Sequence, residues 1–439
     1  MIGRLLAGNR HDTTGSLYPL GDDGAPIANY VQVPTGGHPC FAAEPYGAGL
    51  PAQADVVVVG AGYTGVSAAL HLGLLRRAAG SDAAVLLLLE AGRVGSGPSG
   101  KSGGHVCSLQ VPDEAVLHHC GRELGRRVIT AAGGAVALVR SLAVGHGIPC
   151  DLRDGYIEIG RDGQSLVEDG SLFGIDPYPY VLGLAHAARA LGVGIREGVH
   201  VVDIDEGRDG CRLTTSAGTV SARFVLAAGG HRMAEDIPLL APLRRRTAEV
   251  RVGTIVTDPL PHPVLLSIMP VAGGRRLPFA THEVDVYGSV ARGNRIAFGA
   301  GATAWADPDP ARIARRLHRV FPSLGAGYRA AIGRPLGWRT LVRSEQLCFT
   351  RDFLPNVGIA GRHRKVLYVQ ALGGHGIALG TLLGKAAADR IWSAMAGLPE
   401  QDGLFEVFAA VPHGWLPAWP PARKSVAAMG LRLHEWWLA

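Results

Sequence analysis

The first clear pattern along the chain is Asp55-Val-Val-Val-Val-Gly60, an unbroken β-branched run that predicts a strand buried on both faces. A helical stretch, Val66-Ser-Ala-Ala-Leu-His-Leu-Gly-Leu-Leu-Arg-Arg, follows it, and after a Gly-Ser-Asp turn comes a second buried run, Ala84-Val-Leu-Leu-Leu-Leu-Glu90. Strand, glycine turn, helix and strand together predict a βαβ unit. Further on, residues 123–145 read as a helix, and Tyr156-Ile-Glu-Ile alternates as a strand does. Pro179–Leu191 reads as a helix that stops at Gly192, the usual place for a C′ glycine. Strand-like runs follow at Val199–Ile204, Cys211–Ser216 and Ala222–Ala227. Between 250 and 300, short strands alternate with Gly and Pro turns (Val250–Val256, Val284–Val290, Arg295–Phe298), and Ala311–Val320 reads as a helix. Val366-Leu-Tyr-Val-Gln370 then enters Gly373-Gly-His-Gly376, which opens a long helix to about Met395. Residues 1–53 have no clear period and read as an irregular lead-in. No internal repeat or low-complexity tract interrupts the pattern.

With 439 residues the chain is long enough for two or three domains. Charged residues are 18% and hydrophobic residues 47%, which excludes a disordered or coiled-coil protein. Gly is 62 of 439 without a Gly-X-Y period, so tight turns and close backbone approaches are implied rather than collagen. The formal charge of +6 comes almost wholly from scattered arginines, with no basic stripe of the kind nucleic-acid binding wants. Six widely spaced cysteines with no C-x-x-C pair argue against a disulfide framework and a zinc site. No signal-peptide h-region opens the chain, and the longest apolar runs fall far short of about 20 residues, so the expectation is a soluble, cytoplasmic protein with no transmembrane segment.

Gly60-x-Gly62-x-x-Gly65 gains its meaning from context: it follows a buried strand, opens a helix, and precedes Glu90 at the end of the next strand. Gly60 allows the tight turn, Gly62 lets a pyrophosphate approach the backbone, and Gly65 lets the helix pack on the sheet. The helix N-terminus stabilises the anion, and Glu90 is placed to accept hydrogen bonds from a ribose. Tyr63, Thr64 and Ala91 flank these positions and are counted with them. After Glu90 the chain spends some fifteen residues on glycine and serine, through Ser99-Gly100-Lys101-Ser102-Gly103-Gly104-His105, where a simple NAD domain would start its third strand. No second G-x-G-x-x-G precedes a helix, so a separate nicotinamide domain is not expected.

Asp55–Gly65, Glu90 and Ser99–Gly104 resemble the FAD-binding start of the glycine/D-amino-acid oxidase (DAO) superfamily, most of all its γ-glutamylputrescine-oxidase-like branch. Pro98 and Lys101 depart from that branch's pattern. Pro177–His200 followed by Val220-Ser-Ala-Arg-Phe-Val-Leu-Ala-Ala-Gly-Gly230 is similar to the family's returning strands. Thr350-Arg-Asp-Phe-Leu-Pro355 with Leu367–Ile377 resembles its closing motif. The likeness runs from about residue 28 to the end, and three motifs in the right order are specific where one would not be.

What the resemblance implies is an α/β flavoprotein. Its FAD-binding, Rossmann-like (glutathione-reductase-type) domain would be assembled from 54–115, 175–235 and 345–398. An inserted mixed-sheet α+β substrate domain would span 116–174 and 236–344, and 399–439 would form a C-terminal tail helix. Val201 would meet the adenine through its backbone, Ala228, Gly229 and Gly230 would lie along the cofactor, and Gly373, Gly374, His375, Gly376 and Ile377 would face the flavin pyrimidine ring. A helix N-terminus there would also stabilise the charge of a reduced flavin. His375 would either add a proton or positive charge, or simply fill the helix N-cap.

Phe279–Tyr287 is expected to form one strand over the flavin, on which His282 and Tyr287 face either the substrate or solvent; with His375 they are the catalytic candidates. Some relatives attach FAD covalently through a histidine or cysteine: His105 and Cys107 lie where the glycine loop passes the flavin, while the place of the flavin-bearing cysteine of sarcosine oxidases falls on Leu347, one position from Cys348, and noncovalent FAD is expected here. Arg244, Arg245, Arg246, Arg292 and Arg339 are candidate clamps for a substrate carboxylate. The reaction implied is oxidation of the C–N bond of an amine or amino acid to an imine, with electrons passing to O2 to give H2O2. Relatives activate oxygen with a lysine near the flavin, and the chain has none between 102 and 364. That keeps open a dehydrogenase that passes electrons to a quinone or carrier, and a non-catalytic flavin-binding subunit is the remaining alternative. The tail from Trp415 to Trp437 reads as an amphipathic helix that packs on the body or on a partner subunit, so an oligomer through it is possible.

Overall fold

The computed structural model describes residues 50–429 apart from 81–83, 110, 160–165, 258, 269–270, 273–274, 277, 282–286, 292–294, 300–302, 305–308, 310, 312, 316–337, 400–402, 418 and 420. The lead-in read at 1–53 lies outside them up to residue 49.

In chain order, β1 (Gln53–Val59) turns at Gly60 into α1 (Tyr63–Ala78), and β2 (Leu86–Glu90) follows. After β3 (His105–Val106) come α2 (Asp113–Cys120), α3 (Arg122–Gly145), β4 (Arg153–Ile159), β5 (Leu166–Gly174) and α4 (Pro177–Ala190). Four strands succeed: β6 (Gly194–Glu197), β7 (Val201–Glu206), β8 (Cys211–Thr215) and β9 (Gly218–Ala227). Short α5 (Met233–Asp236) leads to β10 (Thr247–Thr257) and α6 (His262–Ile268), then to the small hairpin β11 (Val271–Ala272) and β12 (Arg275–Arg276). β13 (Phe279–Thr281), β14 (Tyr287–Ala291), β15 (Arg295–Gly299) and β16 (Trp338–Thr350) complete the middle of the chain. β17 (Asn356–Ala360), β18 (Val366–Gln370), α7 (Gly376–Ala396) and α8 (Leu404–Ala409) close it, and residues 421–429 are helical.

The first large sheet has the order β17-β18-β9-β1-β2-β6, with β7 and β8 attached beyond β9. Its central strands are parallel, and β1 pairs with β2 from Val56↔Leu86 and with β9 up to Val59↔Ala227. Both faces are covered, which is why β1 and β2 show no polar alternation. Val56, Val58, Leu86 and Leu88 pack with the helices, while Val57, Val59, Leu87 and Leu89 pack with β7, β8 and residues 233–243. The second sheet, β16-β10-β15-β14-β13-β4-β5-β3, is antiparallel except where β13 runs beside β4. It runs on through Thr350, and the first sheet resumes at Asn356.

One expectation needs correction. Phe279–Tyr287 is not a single strand: β13 and β14 are antiparallel neighbours, with Phe279↔Gly288 and Ala280↔Tyr287, so the chain reverses between them. An alternating pattern records which face a residue takes; it carries no signal for where the partner strands, here β4 and β15, begin and end.

α3 has the length and apolar character of a membrane span. Its buried residues, however, form one stripe (Gly125, Val128, Ala132, Ala135, Val139, Leu142) laid on the core, with Arg126 and Arg127 outward. That is the pattern of a helix resting on a protein body.

Candidate active site between the two sheets

The carboxyl ends of the parallel strands face the second sheet across a cavity of about 1090 Å³. The β1–α1 turn forms one end. Gly60 sits at φ +99°, and a Cβ there would lie 2.6 Å from the Ala228 carbonyl oxygen, so only glycine lets the exit of β9 cross the turn. Gly62, Tyr63 and Thr64 continue the lining. Gly65 stands behind it, its Cα against the Gly60 carbonyl, and serves helix–strand packing as its spacing implies.

Glu90, at the end of β2, accepts the Ala61 N–H on Oε2 and the Gly92 N–H on Oε1, each at 2.7 Å. Burial raises its carboxyl above the usual range and those two donors partly offset the shift. The carboxylate therefore ties the glycine turn to β2 and keeps lone pairs for a ligand.

The glycine-serine loop docks on the start of α1. Ser99 Oγ accepts the Tyr63 N–H at 3.1 Å and fills the space beside Gly62. The Tyr63 side chain is buried, its hydroxyl donating to the Pro177 carbonyl at 3.3 Å. Lys101, Ser102, Gly103, Gly104 and His105 line the wall with Ala91. Gly100 is buried behind the loop and donates its N–H to Gly95 O. Val201, Ala228, Gly229 and Gly230 contribute from β7 and the end of β9.

The opposite end is built by Gly373–Ile377. Gly373 (φ +63°) and Gly374 (φ +88°) turn the chain into α7, with Gly373 against the Phe353 carbonyl. His375 is the N-cap of α7 through its backbone alone; the side chain makes no cap hydrogen bond and places Nδ1 3.5 Å from Cys107 Sγ inside the cavity. Burial pushes the Cys107 and Cys348 thiols up to about 12.

The second sheet supplies the remaining wall. Tyr287 lines it, its ring over Gly103 and Gly299 where a Cβ on either would overlap it, and its hydroxyl is 3.4 Å from Thr254 Oγ1. The His105 ring stands edge-on to Tyr287 (5.2 Å) and Tyr156 (5.7 Å), and its Nε2–H donates to Gly288 O at 3.2 Å. Sequence reasoning missed Tyr156, Glu158 and Asp169, which share this wall. The signal was present: alternation in Tyr156-Ile-Glu-Ile puts Tyr156 and Glu158 on one face, and Asp169 is directly opposite Tyr156 across β4–β5.

His282 and Arg292 fall outside the described residues, as does the Arg339 side chain. The Arg244–Arg246 clamp is not found. Arg246 donates to the Tyr368 hydroxyl, Arg245 lies over the Trp415 ring, Arg244 Nε donates to Ala241 O, and none of the three lines the cavity. Their place at the end of a 3₁₀ turn under the first sheet, Pro238–Arg245, accounts for this.

The sequence profile of the DAO family, described as FAD dependent oxidoreductase, matches residues 55–173 and 165–390, which span both sheets. The chain belongs to the DAO family of FAD-dependent oxidoreductases. It is 25% identical over 423 residues to the gamma-glutamylputrescine oxidoreductase of Escherichia coli (strain K12), covering 87% of this chain and 92% of that one. A probable oxidoreductase OrdL of Haemophilus influenzae is 26% identical, over 81% of this chain and 85% of the relative. Among solved structures, glycine oxidase from Geobacillus kaustophilus superposes with a TM-score of 0.59 at 19% identity, covering 78% of this chain and 95% of that one. L-proline dehydrogenase from P. horikoshii gives 0.60 at 15% identity, covering 82% and 98%. These structures share the fold.

FAD is the cofactor of this DAO-family enzyme, and the cavity suits it. Its volume passes the roughly 300–1,000 Å³ of a drug-sized pocket, as an extended dinucleotide needs. The side-chain-free turn at Gly60 and the α1 N-terminus suit a pyrophosphate, and Glu90 a ribose diol.

Proposed function

We propose that this protein oxidises the C–N bond of an amine or amino acid to an imine, which water hydrolyses, and passes the two electrons to O2 to give H2O2. The observation that carries the reading is the single cavity in which the glycine turn, Glu90 and the α7 start meet the polar wall of the second sheet. The gamma-glutamylputrescine relative supports an amine as the substrate. FAD bound here supplies hydride acceptance from the carbon next to nitrogen.

In this reading Gly60–Gly62 and α1 hold the pyrophosphate, Glu90 and Val201 hold the adenosine, and Ala228–Gly230 line the path to the ring. The start of α7 adds N–H groups and a positive dipole end where reduced cofactor carries charge. His375 stands beside it with its ring in the cavity, free of capping duty, as a group that takes up or releases a proton. Tyr287 and Tyr156 hold His105 and shape the substrate wall. A deprotonated amine needs little more than orientation of its α-C–H. Noncovalent FAD fits the thiols: burial raises Cys107 and Cys348 to about 12, against the thiolate that attachment through sulfur requires. The charged side chains of the described second-sheet wall, Glu158 and Asp169, are carboxylates, which suits a substrate that enters as an ammonium ion.

The second reading is a dehydrogenase that hands electrons to a quinone or carrier, favoured by the lack of lysine between 102 and 364. One experiment addresses both. The visible spectrum of the purified protein is recorded without oxygen before and after adding pooled amines and amino acids. Bleaching of the flavin band by one pool supports amine oxidation, and a band that no pool bleaches rejects it. Fast recovery on admitting air indicates the oxidase; recovery only with a dye indicates the dehydrogenase.

A further inference from the structure

Gln370 ends β18, three residues before Gly373, and lines the cavity while being only 2% exposed. Neither its Oε1 nor its Nε2 has a hydrogen-bond partner among the described residues. Asn356, directly opposite in the β17–β18 register and fully buried, is in the same condition at Oδ1 and Nδ2. Buried carboxamides are nearly always satisfied, because an unmade hydrogen bond costs the whole desolvation of the group. Two adjacent ones, four polar atoms in all, are therefore an expectation of a ligand. Turning to meet each other would pair one donor with one acceptor and still leave N–H groups and lone pairs over. The next polar group on the same face shows the contrast: Tyr368, two residues back, receives the Arg246 Nη1–H on its hydroxyl at 3.1 Å.

Register fixes where Gln370 stands. Tyr368 is level with Ala227, and Ala227 with Val59, so Gln370 lies two residues past the last register pair, beyond the ends of β9 and β1. That is the carboxyl edge of the parallel strands, where α/β sheets bind ligands. In the strand order β18-β9-β1-β2 it is three strands from Glu90, about 14 Å at about 4.8 Å per strand. Glu90 marks the adenosine half, so Gln370 faces the other half.

We propose that Gln370 is a cofactor-binding residue whose carboxamide hydrogen-bonds the flavin-bearing half of FAD, with Asn356 as the positioning residue that holds the amide in orientation. The proposal rests on the FAD site described above. A carboxamide offers both a donor and an acceptor, which suits the mixed donor–acceptor edge of a flavin or the hydroxyls of its ribityl chain.

The test uses the holoenzyme, with FAD as the probe, in the wild type, Gln370→Leu, Gln370→Glu and Asn356→Leu. FAD dissociation is followed by fluorescence, the visible band by absorbance, and the fold by circular dichroism at saturating FAD. Gln370→Leu is expected to weaken FAD binding about tenfold, about 1.4 kcal/mol, and to shift the flavin absorption maximum. Asn356→Leu moves both readings in the same direction by less. Gln370→Glu keeps the acceptor, loses the donor, and makes FAD affinity depend on pH; if the leucine variant does not fold, it carries the same readings. Wild-type affinity and spectrum in the Gln370 variants overturn the proposal. A wild-type protein that takes up no FAD overturns the site itself, which is a distinct result.

Discussion

His71 shows how much a single buried group governs. Burial holds its imidazole down at about 4, although Nδ1–H donates to the Ser67 carbonyl at 2.7 Å and favours the charged form. The folded value lies below the unfolded 6.5, so the native state binds its proton later than the unfolded state does. Stability from this group is complete above about pH 6.5 and is lost as pH falls towards 4, by about 3 kcal/mol. Denaturation midpoints measured from pH 7 to 4 are expected to fall in the wild type and to flatten in His71→Leu. On the substrate wall, Glu158 and Asp169 are exposed, so each charge makes a screened contribution. Glu158→Gln and Asp169→Asn are expected to raise KM for a cationic amine roughly two- to fivefold each with kcat little changed. An unchanged KM would remove these carboxylates from substrate recognition. Neither role was legible from residue type. His71 reads as one polar position in a helix, and Glu158 as the polar half of an alternation, until the faces are assigned.

Helix α7 carries Gly376, Gly380 and Gly384 four residues apart, which places them on one face. At Gly384 a Cβ would meet the Thr64 carbonyl and lie 2.8 Å from Ser67 Cβ, so α7 and α1 approach backbone to backbone. Gly384→Ala improves helix propensity by about 1 kcal/mol, but it forces the two helices apart at an overpacking cost of about 1–3 kcal/mol. The net expectation is lower stability and weaker FAD binding, since the moved helix presents the α1 N-terminus to the cofactor. Gly133 in α3 is the control: nothing lies within 4 Å of its Cβ direction, so Gly133→Ala is expected to stabilise by about 0.5–1 kcal/mol. Melting curves and FAD titrations on the two variants check both statements. The existence of these helices was legible from apolar runs, whereas their close contact was not, because a glycine in a helix reads alike whether it meets a neighbour or solvent.

Across the whole molecule the C-terminal segment is tied to the loop beneath the cofactor turn. The buried His413 ring donates from Nδ1 to both oxygens of Asp352, at 2.9 and 3.1 Å, and Nε2 lies 3.2 Å from Pro355 O. His119 approaches the same carboxylate at 3.5 Å. Burial pushes the Asp352 carboxyl up, but the hydrogen bond and charge of His413 outweigh it and hold the group below its usual 3.8. The carboxylate's share of this link is therefore present above about pH 4 and is lost as pH falls through the lowered value. The loop matters because its Phe353 carbonyl lies against Gly373, where a side chain would not fit. Removing one partner of a buried pair typically costs about 3–5 kcal/mol. His413→Leu is expected to lose about that much in chemical denaturation and to release FAD more readily; unchanged FAD retention would show that the tail and the cofactor turn are independent.

The sequence by itself determined the dinucleotide-binding unit and the order of the elements around it. Those features rest on local rules: a run buried on both faces, glycines where a Cβ cannot fit, an acid at a strand end, a glycine turn that opens a helix. Each is written in consecutive residues: Gly60 and Gly373–Gly374 make the turns that open α1 and α7, His375 is the N-cap of α7, and Glu90 ends β2. Tertiary structure decided what depends on partners far apart in the chain. It reversed the chain between Phe279 and Tyr287, turned Tyr156, Glu158 and Asp169 into the cavity, and kept Arg244–Arg246 out of it. It also set His375 beside Cys107, 268 positions earlier, and Gln370 opposite Asn356, with no side-chain hydrogen-bond partner for either carboxamide among the described residues. The physical reason is that side-chain environment follows from which strand or helix packs opposite, and that is fixed by burial summed over the whole chain rather than by any segment of it.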